Sequence, residues 1–429
     1  MSIALGLPPH LVVRSVPIDD PGELVFRLPE PAGLAWLRRG DGLIGLGEAA
    51  RIRLGPDGVR TNRFVQAGNE LRELFGAADV EDRVGVPGSG PVAFGSFTFD
   101  PRSAGSVLVV PRAVIGRRDG RAWLTTIGDG ADPDALTQVR PAAEPVDVRW
   151  GDGTLAAPDW ERAVERAVKT IRAGRLAKVV LSRDLYAWAE GPIDPRVLLR
   201  RLAGRFPDCY TFACDGLVGA TPELLVRRED DRITSLVLAG STSRSPDPVE
   251  DARRGEALLA SAKDVEEHKL AVESVRAALE PLCADVRIAA EPSLLVLANV
   301  QHLASPVTGR LGDARTAALE VAAALHPTAA VCGTPTPAAL EFIRKLEGMD
   351  RGRYAGPVGW IDAGGNGEWG IALRCAQIDG TQARLFAGGG IVAGSDPAAE
   401  LAETQVKFSA MRYALEGHDH LAGVVSPFQ

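Results

Sequence analysis

The 429-residue sequence contains little cysteine, and its cysteines form no recognisable pattern. The five are scattered along the chain, and no two of them stand in a CxxC spacing. An odd number without such spacing argues against a disulfide framework or a structural zinc site, and it favours reduced thiols. We therefore expect a protein of a reducing, cytoplasmic compartment.

Long apolar runs and an excess of basic residues are also missing. No stretch of about 18 apolar residues occurs, so no segment is expected to span a membrane. The N-terminus has neither a basic start nor a sustained apolar run, so no signal peptide is expected. Asp and Glu total 56 against 48 Lys and Arg, a formal net charge of −8. This balance argues against nucleic acid as a partner, and an anionic small substrate would need cations gathered at its site.

What the sequence does contain is a turn-rich first part followed by sharper strand and helix patterns. Residues 1–150 are rich in glycine and proline and hold short β-type runs around one helical segment. The stretch 129–154 is a candidate connection between two halves. Further on, the patterns predict a helix capped by Asp159, a long helix over about 256–281 and a final helix that begins at Asp396-Pro397.

Between these helices the sequence predicts strands joined by short glycine-rich turns. Residues 177–189 fit one strand, 210–228 two strands around a turn, and 231–242 another strand. Further strand patterns follow at 294–311, 355–364, 367–379 and 383–394. Hairpins of this kind imply a mainly antiparallel sheet with helices packed on it, which is a mixed α/β (α+β) fold.

Two of the predicted helices carry carboxylates at i, i+3 spacing, which places each pair on one helical face. The long helix carries Asp264 and Glu267, and the final helix carries Glu400 and Glu403, followed by Lys407. A solvated acidic ridge is one interpretation. The other is that the two ridges face each other across a divalent cation, because like charges repel unless neutralised and four carboxylates suit Mg²⁺. The sequence alone does not show whether the helices meet.

Lys178 and Glu223 are single charged residues in largely apolar segments. Strand alternation puts Lys178 on one face with Val180 and Ser182. Lys178 fits an edge-strand lysine, and it equally fits a general base, because a partly desolvated pocket favours the neutral amine. Glu223 follows a strand in GATPELLV, where a surface turn residue is the simpler interpretation. The three glycines at 388–390 let a backbone approach a ligand closely, or form a bulge.

Taken together, these segments resemble the chorismate-binding enzymes, a family that includes isochorismate synthase, salicylate synthase, anthranilate synthase component I and aminodeoxychorismate synthase. The matching segments lie in the family's order across residues 155–415 and are KVVLSR (178–183), GATPELLV (219–226), LAGST (238–242), KDVEEH (263–268), VQHLASPVTGRL (300–311), LHPTAAVCGTP (325–335), DRGRYAGPVGW (350–360), GNGEWGIALRCA (365–376), FAGGGIV (386–392) and ELAETQVK (400–407). Residues 1–150 match more loosely, as a variable N-terminal part of the same fold. The resemblance implies one large monomeric domain with antiparallel sheets packed together and helices outside.

The resemblance also implies a role for each matching residue. Lys178 matches the lysine that activates water, and Glu223 matches the general acid. The magnesium ligands would be Glu267 and Glu403, with Asp264 and Glu400 as outer partners through water. The residues that would hold the substrate are Gly240, Ser241, His302, Tyr354, Arg374, Gly388 and Lys407. One small departure is Gly389, which stands where relatives often carry alanine.

Within the family the sequence is most similar to isochorismate synthases. Lys178 argues for water rather than ammonia as the nucleophile. LHPT with His326 and GNGEW before Arg374 are more similar to isochorismate synthases than to salicylate synthases. The resemblance implies Mg²⁺-dependent, reversible conversion of chorismate to isochorismate, with water adding at C2 and the hydroxyl leaving C4. Salicylate synthase, which adds pyruvate elimination, is the alternative. An anthranilate or aminodeoxychorismate synthase component and a non-catalytic paralogue are less favoured, and a menaquinone or a siderophore pathway both remain open.

Overall fold

The computed structural model describes residues 10–29, 33–58, 62–128 and 141–418. Within these ranges lie 23 strands, eight α-helices and a short 3-10 helix at Leu24–Arg27. Part of the candidate connection at 129–154 falls outside the described residues. None of the described helices is long and apolar enough to cross a membrane.

The strands and helices are numbered here in chain order. The strands are β1 Val12–Ile18, β2 Leu34–Arg38, β3 Asp41–Leu46, β4 Ala50–Leu54, β5 Asp79–Asp82, β6 Val92–Ser96, β7 Ser106–Val110, β8 Ala113–Arg118, β9 Arg121–Ile127, β10 Arg149–Asp152, β11 Lys178–Trp188, β12 Tyr210–Cys214, β13 Leu217–Thr221, β14 Leu224–Glu229, β15 Arg232–Ser243, β16 Cys283–Ile288, β17 Ser293–Val296, β18 Val300–Leu311, β19 Gly333–Thr334, β20 Pro357–Asp362, β21 Gly367–Ile371, β22 Cys375–Asp379 and β23 Gln382–Ile391. The helices are α1 Arg63–Gly76, α2 Ala157–Arg172, α3 Pro195–Arg205, α4 Pro248–Ala260, α5 Ala262–Leu279, α6 Ala318–Leu325, α7 Thr336–Glu347 and α8 Pro397–Glu416.

The strands form two sheets. The first has thirteen strands in the order β10-β11-β23-β22-β13-β12-β2-β3-β8-β9-β1-β5, with β19 beside β11. The second has ten in the order β16-β18-β15-β14-β21-β20-β6-β7-β4, with β17 beside β18. The pairing of β1 with β5 is parallel, whereas the strands around the site described below pair antiparallel. The predicted mixed α/β domain with antiparallel sheets and helices outside is confirmed.

Strands from the first 150 residues complete both sheets. They supply one half of the first sheet and the β6-β7-β4 end of the second. The N-terminal part therefore shares its core with the rest of the chain. That residues 1–150 are the more variable part of the fold, with a boundary near residue 150, stays a prediction.

Apolar side chains are buried on both faces of the first sheet. Between the two sheets lie the fully buried rings of Trp36, Phe94 and Trp369. On the opposite face, α3 and α8 pack a second cluster that includes Leu198 and Phe408. Burial of this apolar area is the main stabilising term for such a layered domain, and it fixes α8 against β23.

Two helices differ from the sequence predictions. The helix predicted over 256–281 is two helices, α4 and α5, separated at Ser261. The extended backbone of Ser261 (ψ 109°) ends α4, and its side chain accepts a hydrogen bond from the Asp264 amide to cap α5. Helix α2 begins at Ala157 because Pro158 fits its first turn, so Asp159 lies inside that turn and does not cap it. The final helix begins at Pro397 with Asp396 as its N-cap, as predicted.

Two strand predictions were also too simple, and both errors fall at the site. Residues 210–228 form three strands, because the chain leaves the first sheet after β13 at Pro222 and enters the second at β14. Residues 367–379 form two strands, because the chain returns from β21 to β22 through Arg374, whose φ is +48°. Proline lacks the amide that a continuous strand would need. Glu223 and Arg374 thus both lie where the chain crosses between the sheets.

Candidate active site

A cleft of about 690 Å³, which includes space open to solvent, lies at these crossings. Strands β11 and β23 of the first sheet, β15 and β18 of the second, and helices α5 and α8 contribute to its walls. Ten of the thirteen predicted site residues line it: Glu223, Gly240, Ser241, Glu267, His302, Tyr354, Arg374, Gly388, Glu403 and Lys407. The other three, Lys178, Asp264 and Glu400, do not line it.

Lys178 is buried beside the cleft, in contact with the lining residue Glu267. Its side chain is 0% exposed, and its strand pairs with β23 on one side and β19 on the other, so the edge-strand interpretation is wrong. Its Nζ lies 3.1 Å from Glu267 Oε1, within ion-pair distance but without hydrogen-bond geometry. Val180 and Ser182 line the cleft, which confirms the predicted alternation of β11.

The three glycines of β23 allow side chains to approach the strand closely. A Cβ at Gly390 would lie 2.0 Å from Glu267 Oε1, and one at Gly388 would lie 2.6 Å from Ser182 Oγ. A Cβ at Gly389 would meet only a carboxylate oxygen of Glu400, at 3.1 Å. The register between β11 and β23 is continuous through these residues, so close approach and not a bulge explains the glycines.

Glu223 projects into the cleft from the crossing between β13 and β14. It is only 5% exposed, so the interpretation as a surface turn residue is wrong. Burial raises its pKa to about 8, against the opposing effect of the positive charges of Lys178 and Arg374. A carboxyl group with this pKa carries a proton at neutral pH and can donate it.

The two carboxylate helices meet at the cleft. Lys263 Nζ on α5 lies 2.6 Å from Glu400 Oε1 on α8, and the Glu400 side chain is 1% exposed. Asp264, next to Lys263, hydrogen bonds with Ser261 at the start of α5. The interpretation as two separate solvated ridges is therefore wrong, since the helices bring their acidic residues together.

Glu403 is held in its ionised form by its neighbours. Its Oε1 lies 2.5 Å from Lys407 Nζ and accepts a hydrogen bond of 2.7 Å from Ser241 Oγ. Burial alone would raise the pKa of Glu403, but Lys407 and Ser241 outweigh it and lower the pKa. The pKa values of Glu400 and Asp264 shift in the opposite direction. Burial raises the pKa of each, and nearby carboxylates add to the effect.

The carboxylates fit a hard divalent cation by their chemistry. Their ligand atoms are oxygens, which Mg²⁺ prefers. Glu400 Oε2 is buried and forms no hydrogen bond of normal geometry with a described residue, although Ser395 lies close enough to lower its pKa. Within the described ranges, however, no three Asp, Glu, His or Cys side chains converge into a ready metal site. In this arrangement Glu267, Glu400 and Glu403 each have a lysine as ion-pair partner.

Cationic and aromatic groups also line the cleft. Arg374 Nη2 donates to His302 Nε2 at 3.3 Å, and burial with the adjacent Arg374 charge lowers the pKa of His302 to about 3. A neutral His302 can accept that bond. The Tyr354 ring stacks on Phe386 with centroids 5.0 Å apart, and burial raises the pKa of its phenol to about 12. Lys407 Nζ also donates to the Gly388 carbonyl at 2.7 Å.

Strand β15 reaches the cleft through a bulge. Its register with β18 shifts between Leu238 and Ser241, and Gly240 there has a φ of +77°. A residue with a Cβ rarely adopts this conformation, so glycine at 240 lets the strand turn Ser241 towards Glu403.

The sequence analysis missed two elements of the site. One is Lys263, described above. The other is a buried pair behind β11, in which Arg351 contacts Glu347 at 2.5 Å and donates to the Val180 carbonyl at 2.8 Å, while Glu347 accepts from the Ser182 amide. The i, i+4 spacing of Glu347 and Arg351 was a visible signal for that pair. His326, by contrast, bonds to the Phe99 carbonyl and does not line the cleft.

Known proteins resemble this chain both in sequence and in fold. The model of the chorismate binding enzyme family matches residues 36–416. The chain belongs to this family. It is 42% identical over 344 residues to isochorismate synthase DhbC of Bacillus subtilis, covering 78% of this chain and 82% of the relative. It is 37% identical over 326 residues to isochorismate synthase EntC of Escherichia coli K12, covering 75% and 80%.

A solved structure extends the likeness to the whole fold. The menaquinone-specific isochorismate synthase MenF from Escherichia coli superposes with a TM-score of 0.79 at 28% identity, covering 97% of each chain. The family match includes most of the first 150 residues, whose strands complete the sheets. Like its named relatives, the chain is an enzyme.

Proposed function

We propose that this enzyme is an isochorismate synthase, an isomerase that depends on Mg²⁺. It would add water at C2 of chorismate and remove the C4 hydroxyl. The observation that carries the proposal is Glu223, a buried carboxyl group with a pKa near 8 in a cleft whose lining residue Glu267 contacts the buried Lys178. The names of the relatives, DhbC, EntC and MenF, support the same reaction.

Lys178 and Glu223 approach the cleft from different strands. Strands β23 and β22 lie between β11 and β13 in the sheet, so Lys178 and Glu223 come from strands that are not neighbours. A ring held in the cleft between them would have an amine on one side and a carboxylic acid on the other. This is the arrangement that addition on one carbon and departure from another requires.

The two groups divide the proton transfers between them. The neutral amine of Lys178 takes a proton from the attacking water as its oxygen bonds to C2. The ring double bonds shift, the C4–O bond breaks, and Glu223 gives its proton to the departing hydroxyl, which leaves as water. Each positioned acid or base typically contributes on the order of 10²–10⁴ in rate. Lys178 then releases its extra proton to solvent and Glu223 takes one up, which restores both groups for the next turnover.

Cationic side chains would hold the substrate dianion. The Arg374 guanidinium has several donors beyond its bond to His302, and Lys407 lies on the facing helix. Charge-assisted bonds from such groups to carboxylates are strong and directional. They supply the local positive charge that the acidic chain otherwise lacks.

The carboxylates of α5 and α8 would hold the magnesium ion, with Glu267 and Glu403 as ligands and Asp264 and Glu400 as outer partners. When bound, the ion would orient the ring carboxylate of chorismate and would offset the negative charges of that carboxylate and of Glu267. The support for this assignment is that all the candidate ligand atoms are oxygens and that the buried Glu400 Oε2 has no hydrogen bond of normal geometry with a described residue.

Product analysis tests the proposal. Chorismate incubated with the enzyme and Mg²⁺, then separated by chromatography, should give a mixture of chorismate and isochorismate at the same ratio from either starting compound. In ¹⁸O-water the label should enter the C2 hydroxyl. Stoichiometric pyruvate and salicylate would make the enzyme a salicylate synthase, and no turnover at all would leave a chorismate-binding paralogue.

A further inference from the structure

Three lysines act as counter-ions to three glutamates of the cleft. In each pair an ammonium nitrogen lies within ion-pair distance of a carboxylate oxygen. The pairs are Lys178 with Glu267 at 3.1 Å, Lys263 with Glu400 at 2.6 Å, and Lys407 with Glu403 at 2.5 Å. Cations of the chain itself thus offset most of the negative charge that a divalent ion would otherwise meet.

These lysines differ in how easily they can move away. Lys178 is fully buried, and Lys407 is fixed by a second bond to the Gly388 carbonyl. Lys263 has 33% of its side chain exposed and a flexible four-carbon stem. Of the three, Lys263 is therefore the one best placed to turn its ammonium group into solvent.

Glu400 needs a positive charge close by when it is ionised. It is 1% exposed, and its second oxygen has no hydrogen bond of normal geometry within the described residues. Leaving a buried carboxylate without a partner is strongly destabilising. For Glu400 to stay ionised, either the Lys263 ammonium or another cation must therefore lie close to it.

We propose that Lys263 is the exchangeable counter-ion of this carboxylate cluster. Its ammonium group neutralises Glu400 when no divalent cation is bound, and it weakens the binding of that cation by occupying Glu400 and by repulsion. Lys263 is thus a positioning residue that acts through Glu400 and sets how tightly the cleft holds Mg²⁺. The inference rests on the magnesium site of the proposed function.

Lys263→Met separates this role from a purely structural one, because it should change two quantities in opposite directions. Removing one positive charge near the cluster should tighten Mg²⁺ binding about tenfold, as measured by calorimetric titration of the substrate-free enzyme. The melting temperature in EDTA should fall by about 3 °C, because Glu400 loses its partner. The rise in melting temperature on adding Mg²⁺ should be correspondingly larger.

Matched variants control for stability and for general charge. Lys269→Met removes an exposed lysine from the same helix and should change neither quantity. Lys263→Arg keeps the charge and should stay near the wild type in both. The comparison is repeated in a Glu400→Gln background, where no buried charge is left unpaired, so it remains measurable if Lys263→Met folds poorly. There too, removal of Lys263 should strengthen Mg²⁺ binding.

Two results would overturn the inference while the magnesium site stands. Unchanged Mg²⁺ affinity in Lys263→Met with a lower melting temperature would make Lys263 a structural contact only. Weaker affinity would mean that Lys263 orders the carboxylates for the metal. If the wild-type enzyme binds no Mg²⁺ at millimolar concentration, with or without chorismate, the magnesium site and this inference both fail. That outcome is decided on the wild type alone, so the two failures are distinguishable.

Discussion

Glu223 and Glu403 line the same cleft, yet their surroundings favour opposite charge states. Glu223 is buried at a crossing between the sheets, and burial raises its pKa to about 8. Glu403 lies on α8 one turn before Lys407, has 29% of its side chain exposed, and its contacts with Lys407 and Ser241 lower its pKa. One glutamate is built to give up a proton, and the other is built to stay charged.

The difference shows that position within the fold, not residue type, decides the role of a carboxylate here. Glu223 comes from a segment that leaves one sheet for the other, where it is buried and no ammonium group lies within ion-pair distance in the described contacts. The helix carboxylates each meet a lysine from the chain. Desolvation raises a carboxyl pKa, and a close ammonium group lowers it.

The largest effect is expected from removing the base. Lys178→Ala should lower turnover by on the order of 10³–10⁴, because the group assigned to take the proton from water is lost. Chorismate should still bind, since Arg374 and Lys407 remain. Steady-state rates together with calorimetric binding of chorismate measure both quantities, with Lys169→Ala on the surface of α2 as control. A comparable rate in the variant would show that another group activates water.

Glu223→Gln should lower turnover by on the order of 10²–10³ and also change its pH dependence. The folded pKa lies near 8, above the ordinary value of 4.5, so the acid form persists at neutral pH and is lost as the pH rises through 8. Activity of the wild type should therefore fall above about pH 8. The protonated group contributes fully to the stability of the folded protein below about pH 4.5. This contribution is lost as the pH rises from about 4.5 to 8. An alkaline limb that survives unchanged in Glu223→Gln would assign it to another group.

Glu403→Gln should lower turnover about a hundredfold at limiting Mg²⁺ while the melting curve stays close to that of the wild type. The amide keeps the shape of the side chain but removes the charge that a metal ligand needs. Glu267→Gln should lower turnover in the same way, but its melting temperature should also fall, because the buried Lys178 loses its ion-pair partner. Turnover measured across a range of Mg²⁺ concentrations checks this, and a near-normal rate at saturating Mg²⁺ would remove the substituted residue from the metal site.

The smallest effects should come from the glycines of β23, where neighbouring positions give a sharp contrast. Gly390→Ala would bring a methyl group 2.0 Å from Glu267 Oε1 and should lower turnover about tenfold or more, because Glu267 and Lys178 must shift. Gly389→Ala meets Glu400 Oε2 at 3.1 Å and should stay within about twofold of the wild type, since a carboxylate can move by a few tenths of an ångström. Equal losses in both variants would contradict the close approach described for β23.

The parts of the site that follow a local period could be predicted from the sequence. Alternation along β11 correctly put Lys178 on the face of Val180 and Ser182, and the i, i+3 spacing correctly paired the carboxylates. The resemblance to the family named the residues of the cleft. Their catalytic roles, the monomeric state and the cytoplasmic location stay predictions.

The parts that depend on contacts between distant segments could not be predicted in this way. A β-type pattern continues through Pro222 and through Arg374, so it does not reveal that the chain changes sheets there. A helical pattern likewise continues through Ser261, where the backbone breaks to cap α5. The contact of Lys263 with Glu400 joins residues 137 positions apart, and nothing in either local pattern indicates it.

The charge state of Glu223 is the most direct test of the account, and infrared difference spectroscopy can measure it. The spectrum of the wild type minus that of Glu223→Gln at pH 7 should contain the carbonyl band of a protonated carboxyl group, which disappears with a midpoint near pH 8. The corresponding difference for Glu403→Gln should contain carboxylate bands instead. A carboxylate signal from Glu223 at pH 7 would contradict its assignment as the proton donor.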